Sequence, residues 1–265
     1  MNGRRVGRLA AVLLLGAACT TTFDSGPVPR LAPPAWRDGE RAVYFASRGD
    51  SLLYQTTVSI SLDEEADPGP GEGPAVPTVE VTSVTEALED GQYFFDSGVV
   101  IFRRADIVPL HSRRTVETEL SDFDIETRYA RTRAFIRKET VDGVTDQTLE
   151  LPPNTFSNDI SQTLLRSVPP TPGLVFRINL LVPMEFRTLP ARVQVLGTKL
   201  IETGLGDIIC REISVLTPGR ETRHWVELAE PRRYIGMRDM LSETQAVIVE
   251  YTPAHADSLP APATP

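Results

Sequence analysis

Cys19 is the residue whose setting points most directly to chemistry. In Gly16-Ala17-Ala18-Cys19 the thiol follows small residues at the end of an apolar run. A bacterial lipobox has this layout, and its cysteine is acylated and becomes the mature N-terminus. Gly16 stands where Leu is usual, with Leu15 one place too early. The same small residues therefore also read as an A-x-A-like cleavage site, which would release a soluble protein beginning at Cys19. A cysteine at this position has little other reason to exist, which favours acylation.

The remaining reactive types form no familiar catalytic set. The histidines are His111, His224 and His255, and none belongs to a His-Glu-x-x-His pair, so a metal site is not expected. No Gly-x-Ser-x-Gly elbow presents a serine nucleophile. Cys210 and His224 could act as nucleophile and base. Cys210 lies in a strand beside Ile208 and Ile209, however, and a buried structural thiol is the simpler reading. Gly204 and Gly206 fall between strands, so they do not make a phosphate loop ahead of a helix. The acidic Pro/Gly stretch 63–77 lacks the alternating carboxylates of a calcium loop. Arg48-Gly49-Asp50 matches an adhesion tripeptide and reads as a hairpin turn. No enzyme and no cofactor are expected.

The leader explains where Cys19 would be processed. Arg4, Arg5 and Arg8 precede an apolar run of ten residues, 9–18. A membrane-spanning helix needs about twenty, so the run reads as a secretory signal peptide, residues 1–18. Arg4-Arg5 suggests twin-arginine export, but Gly7 and Arg8 interrupt that signal and favour general secretion. Losing the three arginines takes the net charge from −9 to −12. That balance disfavours nucleic acid as a partner and argues against a surface built to hug anionic lipid head groups. With Cys19 acylated, Cys210 has no intrachain partner, so a core must hold the fold.

Residues 19–38 read as a lipidated N-terminus and flexible tether, rich in Thr and Pro; sixteen of them, 20–35, reach at most ~55 Å. Residues 253–265, with four prolines, read as a disordered tail. Between them, residues 39–252 form one β-rich domain. Strands are expected at 41–47, 52–62, 78–88, 93–103, 108–119, 123–131, 132–141 and 144–151. After one helix they resume at 174–186, 191–202, 208–216, 221–228, 233–240 and 244–251. Phe123, Ile125, Thr127 and Tyr129 share one face, and Asp122, Asp124, Glu126 and Arg128 the other, the pattern of a half-wet antiparallel sheet. Interleaved arginines and acids over 103–138 are read as cross-strand pairs.

Ser157-Asn158-Asp159 offers N-cap oxygens, and Ile160, Leu164, Leu165 and Val168 follow at helical spacing until Pro169-Pro170. The fold class is therefore mainly β, a curved antiparallel sheet or incomplete β-barrel with one short amphipathic helix packed on it.

Several short motifs resemble the bacterial envelope family known as domain of unknown function 3108. They are the Gly39-Glu40-Arg41 opening with Tyr44, and the helix at 160–165 followed by Pro169, Pro172 and Gly173. A Gly197 strand leading through Gly204 and Gly206 to Cys210-Arg211, and Trp225 followed by Pro231–Tyr234, complete the likeness. The acidic stretch near residue 70 looks like an insertion. Such proteins are similar to the lipoprotein carriers LolA and LolB, so the resemblance implies an incomplete barrel whose concave apolar face is covered by short helices.

Two functions follow as expectations. In one, Ile160, Leu164 and Leu165 line a cavity for a lipid or acyl chain. In the other, the sheet is a packed core and the protein is a membrane-tethered structural or interaction module. The membrane is the expected partner through the lipid on Cys19. Thr20, not Asp, follows the cysteine, which favours the outer membrane facing the periplasm over a soluble periplasmic protein.

Overall fold

The computed structural model describes residues 27–66, 75–88 and 93–253. The signal peptide, Cys19, most of the acidic stretch, the Asp90-Gly91 turn and the tail beyond residue 253 lie outside the described residues. Gly49 turns β1 (Glu40–Arg48) into β2 (Ser51–Ala66) at a positive φ of 58°, as the turn reading of Arg48-Gly49-Asp50 requires. A meander continues through β3 (Val76–Ala87), β4 (Phe94–Arg103), β5 (Pro109–Thr118), β6 (Asp122–Ala130), β7 (Arg133–Thr140) and β8 (Gly143–Glu150). The short β9 (Thr155–Ser157) leads into a 3-10 turn, Asn158–Ile160, and helix α1 (Ser161–Arg166). The second half is β10 (Val175–Val182), β11 (Arg187–Thr203), β12 (Gly206–Thr217), β13 (Arg220–Glu227), β14 (Tyr234–Asp239) and β15 (Gln245–Thr252).

All of these strands belong to one sheet, ordered β8 through β1, then β15 back through β9. Every pairing is antiparallel except β9 with β10, which is parallel. β1 lies at the centre, joined to β2 on one side and β15 on the other. The edges are β8 and β9, and only residues 151–154 separate them in the chain, so the sheet must curl until its ends approach. Packing closes the gap where hydrogen bonds do not. Leu181 of β10, with Met184 and Phe186, meets Ile125, Tyr129, Ala134 and Ile136 of β6 and β7. The result is an incomplete barrel.

The alternation expected in β6 is present: Ile125, Thr127 and Tyr129 are buried, and Arg128 is exposed. On its wet face Arg128 pairs with Glu126 two residues away on the same strand, while Arg113 of β5 approaches Asp124 across the strands, as the charge pattern anticipated. The chain ahead of β1 also lies on the body. Trp36 is buried edge-on to Phe102, and Ala32 N–H donates to Ser167 O at 2.9 Å.

The helical segment fills the barrel. Asp159 N–H donates to Ser157 Oγ at the start of the 3-10 turn. Ile160 faces Trp36, Val79, Val100, Phe102 and Ile107 of the first half. Leu164, Leu165 and Val168 face Phe176, Val193 and Ile213 in the core of the second half. Six helical residues are far too few to be stable alone, so their order comes from this packing and from buried charges. Arg211 of β12, 1 % exposed, donates to the carbonyls of Leu165 (3.1 Å), Arg166 (2.8 Å) and Val168, satisfying helix-end acceptors that water cannot reach. Arg166 makes a two-pronged ion pair with Glu40 of β1, at 2.9 and 3.2 Å. It also donates to the carbonyls of Pro231 and Arg232 and stacks over Trp36. At the other end of the segment, Arg114 of β5 bridges Asp159 (3.2 Å) to Asp96 (2.8 Å).

Removing one member of a buried ion pair leaves an unpaired charge, so Glu40→Ala is expected to cost about 3–5 kcal/mol. Glu40→Leu combined with Arg166→Met should recover most of that loss, because both charges go together. Urea unfolding of the two variants against wild type measures both effects.

Candidate functional site

Beside α1 the concave face of the sheet leaves a slot of about 240 Å3. Its floor is buried and apolar: Leu164 and Leu165 from the helix, Ile178 and Leu180 from β10, and Val193 from β11. Val215 and Met237 form half-buried walls. Asn158 and Arg220, both exposed, stand at the mouth with Ser161, Thr217 and Thr222. The period of two in β13 arranges this gradient, because Arg220, Thr222 and His224 share one face from mouth to interior.

His224 is the buried polar group of the slot. Its Nδ1 lies 2.8 Å from Tyr234 Oη and its Nε2 lies 2.7 Å from Thr222 Oγ1. One assignment satisfies every donor. Thr222 O–H points to Val215 O, His224 Nε2–H donates to Thr222 Oγ1, and Tyr234 O–H donates to His224 Nδ1. Tyr44 O–H in turn holds the Tyr234 carbonyl at 2.9 Å. Burial, with the nearby Arg220 charge adding to it, brings the His224 pKa down to about 3. The imidazole is therefore neutral and presents no charge to the slot.

Arg220 is held from behind. Its Nε donates to Asp239 Oδ2 at 2.9 Å, and its Nη2 lies 2.7 Å from the same oxygen. Asp239 Oδ1 accepts the amide N–H groups of Leu241 (2.9 Å) and Ser242 (3.3 Å). Burial works against the charge on Asp239, but those amides and Arg220 outweigh it and hold the carboxyl below the usual range.

Of the residues the sequence nominated, Leu164 and Leu165 line the slot and Ile160 does not. Ile160 ends the 3-10 turn with φ −102° and ψ 13°, off the helical stripe, so it points into the opposite half. Cys210 and His224 do not meet. In the β12–β13 register His224 faces Ile213, three residues from Cys210, so the two occupy opposite faces of the sheet. Burial pushes the Cys210 thiol up to about 12, and its Sγ donates to Ile208 O at 3.5 Å, which makes it an unreactive core thiol. His111 pairs with Glu126 on the wet face at 3.3 Å, and His255 lies outside the described residues. Among the described residues no group of three or more His, Cys, Asp or Glu side chains could hold a metal. Strand alternation could have placed Thr222 with His224, and Val193 with Val195, but not shown which strands face α1.

Two other hollows are shallower in character. One, of about 520 Å3, lies open on the face opposite His224, between Phe45, Leu200, Trp225 and Val249. Another, about 370 Å3, surrounds Phe135 on β7 and is bordered by Glu126, Arg128, Arg137 and Asp146. Of these three hollows the slot combines a buried apolar floor with a polar rim, the usual make-up of a small-ligand site.

The chain is similar in structure to a beta-barrel-like protein of domain of unknown function DUF1849 from Brucella abortus. The TM-score is 0.50 at 12 % identity, over 86 % of this chain and all of that one. What the two share is the fold. A Bacteroides fragilis protein with a YmcC-like fold overlaps at a TM-score of 0.35 and 8 % identity, over 84 % of this chain and 98 % of that one. No family model matches, so the likeness to domain of unknown function 3108 stays one of short motifs. No curated protein matches the chain. Among the described residues no helix is long and apolar enough to cross a membrane.

The depressed His224 pKa makes stability depend on pH. The unfolded state takes up a proton near pH 6.5 and the folded state only near 3. This part of the stability is complete above pH 6.5 and is lost as pH falls, on the order of 3 kcal/mol by pH 4. Urea midpoints measured from pH 7 to pH 4 should fall more steeply for wild type than for His224→Gln. Parallel profiles would show that His224 titrates normally.

Proposed function

We propose that the protein binds a slender hydrophobic ligand, a single acyl or alkyl chain, in the slot between α1 and the sheet. The observation that carries this reading is the slot's construction: a buried aliphatic floor made by Leu164, Leu165, Ile178, Leu180 and Val193 beneath an exposed polar mouth. Its volume of about 240 Å3 exceeds the ~150 Å3 apolar cavity that suffices for benzene. It falls short of the ~300–1,000 Å3 usual for drug-sized ligands, which favours one chain over a diacyl lipid. The neutral His224 suits the same role, since a charged imidazole beside an alkyl chain would need costly desolvation. In this reading the protein is a binding protein and not an enzyme.

The setting we propose is the bacterial cell envelope. The leader exports the chain, and acyl groups on Cys19 hold it on the outer membrane facing the periplasm. Several acyl chains, each methylene contributing about 0.8 kcal/mol, make such an anchor effectively permanent. A fixed anchor suits local reception or handling of the ligand more than long-range ferrying. Cys19→Ala should move the protein from the membrane pellet to the soluble periplasmic fraction or block its maturation. Wild-type protein that is wholly soluble would rule out the anchor.

Binding itself is checked by displacement of a fluorescent fatty-acid analogue from the Cys19→Ser protein purified without detergent. Wild-type slot geometry should give saturable binding. Val215→Phe, which fills the slot from β12, should weaken it by about tenfold or more while far-UV circular dichroism is unchanged. Saturable binding unaffected by Val215→Phe would move the ligand elsewhere, and no binding at all would favour the tethered structural module.

A further inference from the structure

We infer that Arg220 is the head-group anchor of the slot, and that the ligand is a single-chain amphiphile ending in an anionic carboxylate or phosphate. This rests on the slot being the binding site, and it adds the polarity and direction of the ligand. Three observations support it.

First, the slot is polarised along β13. His224 is buried, Thr222 is half-buried and Arg220 is exposed, all on one face. A chain that enters tail-first therefore leaves its head beside Arg220. Second, Arg220 is already oriented. Its Nε and Nη2 are engaged by Asp239, which is itself fixed by two backbone amides, so the guanidinium is not free to swing. Third, that pairing uses one edge of the guanidinium. Among the described residues Nη1 has no partner, and with the remaining Nη2 proton it presents donors at the mouth. Two parallel N–H groups from a fixed guanidinium fit a carboxylate or phosphate oxygen pair, whereas an alcohol head uses at most one of them.

The charge context fits this chemistry. Asp239 pairs with Arg220 through Oδ2, and it is engaged from behind through Oδ1 by Leu241 and Ser242. Asn158 and Ser161, at the start of the helical segment, add uncharged polar groups on the other side of the mouth. Thr217 and Thr222 contribute hydroxyls, and among the described residues lining the slot none is a carboxylate. Asp239 is a positioning residue in this arrangement, since it acts through Arg220.

The test compares three probes of equal chain length, decanoate, decyl phosphate and 1-decanol, by isothermal titration of the Cys19→Ser protein. Wild type should bind at least one anion about tenfold more tightly than the alcohol. Arg220→Gln should bring that ratio close to one by weakening the anions far more than 1-decanol, and Arg220→Lys should restore part of it. Retained alcohol binding excludes a merely structural effect of the variant. The tighter of the two anions identifies the head-group source, a free fatty acid or a phosphorylated lipid. Equal binding of anions and alcohol, untouched by Arg220→Gln, would overturn the anchor and leave the slot standing as a hydrophobic site. Failure of all three probes to bind would overturn both.

Discussion

The architecture depends on keeping charges inside the barrel. An incomplete barrel with one short helical segment in its concavity has a problem at the helix end, where carbonyls face a space that water does not enter. Arg211 meets three of them, and its own pKa, lowered by burial to about 10, still leaves it charged at neutral pH. Arg166 carries a second charge into the same region and finds Glu40 at the start of β1. Together with Arg114 at the front of the segment, these side chains tie the helix to β1, β5, β12 and the turn before β14. Such pairs add little net stability over a hydrophobic equivalent. Their effect here is to fix one position for a segment that could otherwise slide along the largely aliphatic part of the wall.

The slot follows from that fixed position. Because α1 is held at its C-terminal end by Arg211 and Arg166, Leu164 and Leu165 stand off from β10–β13 by a set distance, and the remaining space is the slot. Collapse of the helix onto the sheet would bury more apolar area and close the slot, but it would pull the carbonyls of residues 165–168 away from Arg211. The short ladder from Tyr44 through Tyr234, His224 and Thr222 keeps the polar side of the wall satisfied without charge. Burial also raises the Tyr44 and Tyr234 phenol pKa values, so this wall stays neutral across the physiological range.

Much of the fold was legible because it is local. Gly49, Asp142-Gly143 and Pro218-Gly219 mark hairpins whose strands follow from alternation, and the structure has strands on both sides of each. What could not be read is what depends on distant partners. β9 is three residues long, after two prolines, and exists only through parallel pairing with β10. The expected helix over 159–168 is split into a 3-10 turn and six α-helical residues, which turns Ile160 away from the slot. Arg166 and Arg211 look like surface residues in sequence. They are buried because Glu40 lies 126 positions from Arg166, and the helix carbonyls lie 43 to 46 from Arg211. The short motifs at Glu40, Cys210-Arg211 and Pro231–Tyr234 were visible only as a family resemblance. In space Glu40, Arg211 and the carbonyls of Pro231 and Arg232 meet the C-terminal end of α1 and hold it.

The central claim is that α1 and the facing strands enclose a ligand chain. Its most direct test is nuclear magnetic resonance on methyl-labelled Cys19→Ser protein with unlabelled decanoate, reading intermolecular nuclear Overhauser effects. Cross-peaks from the decanoate methylenes to the methyls of Leu164, Leu165, Val193 and Val215 are the predicted result. Cross-peaks confined to Leu200 and Val249 on the opposite face, or none at saturating decanoate, would contradict it.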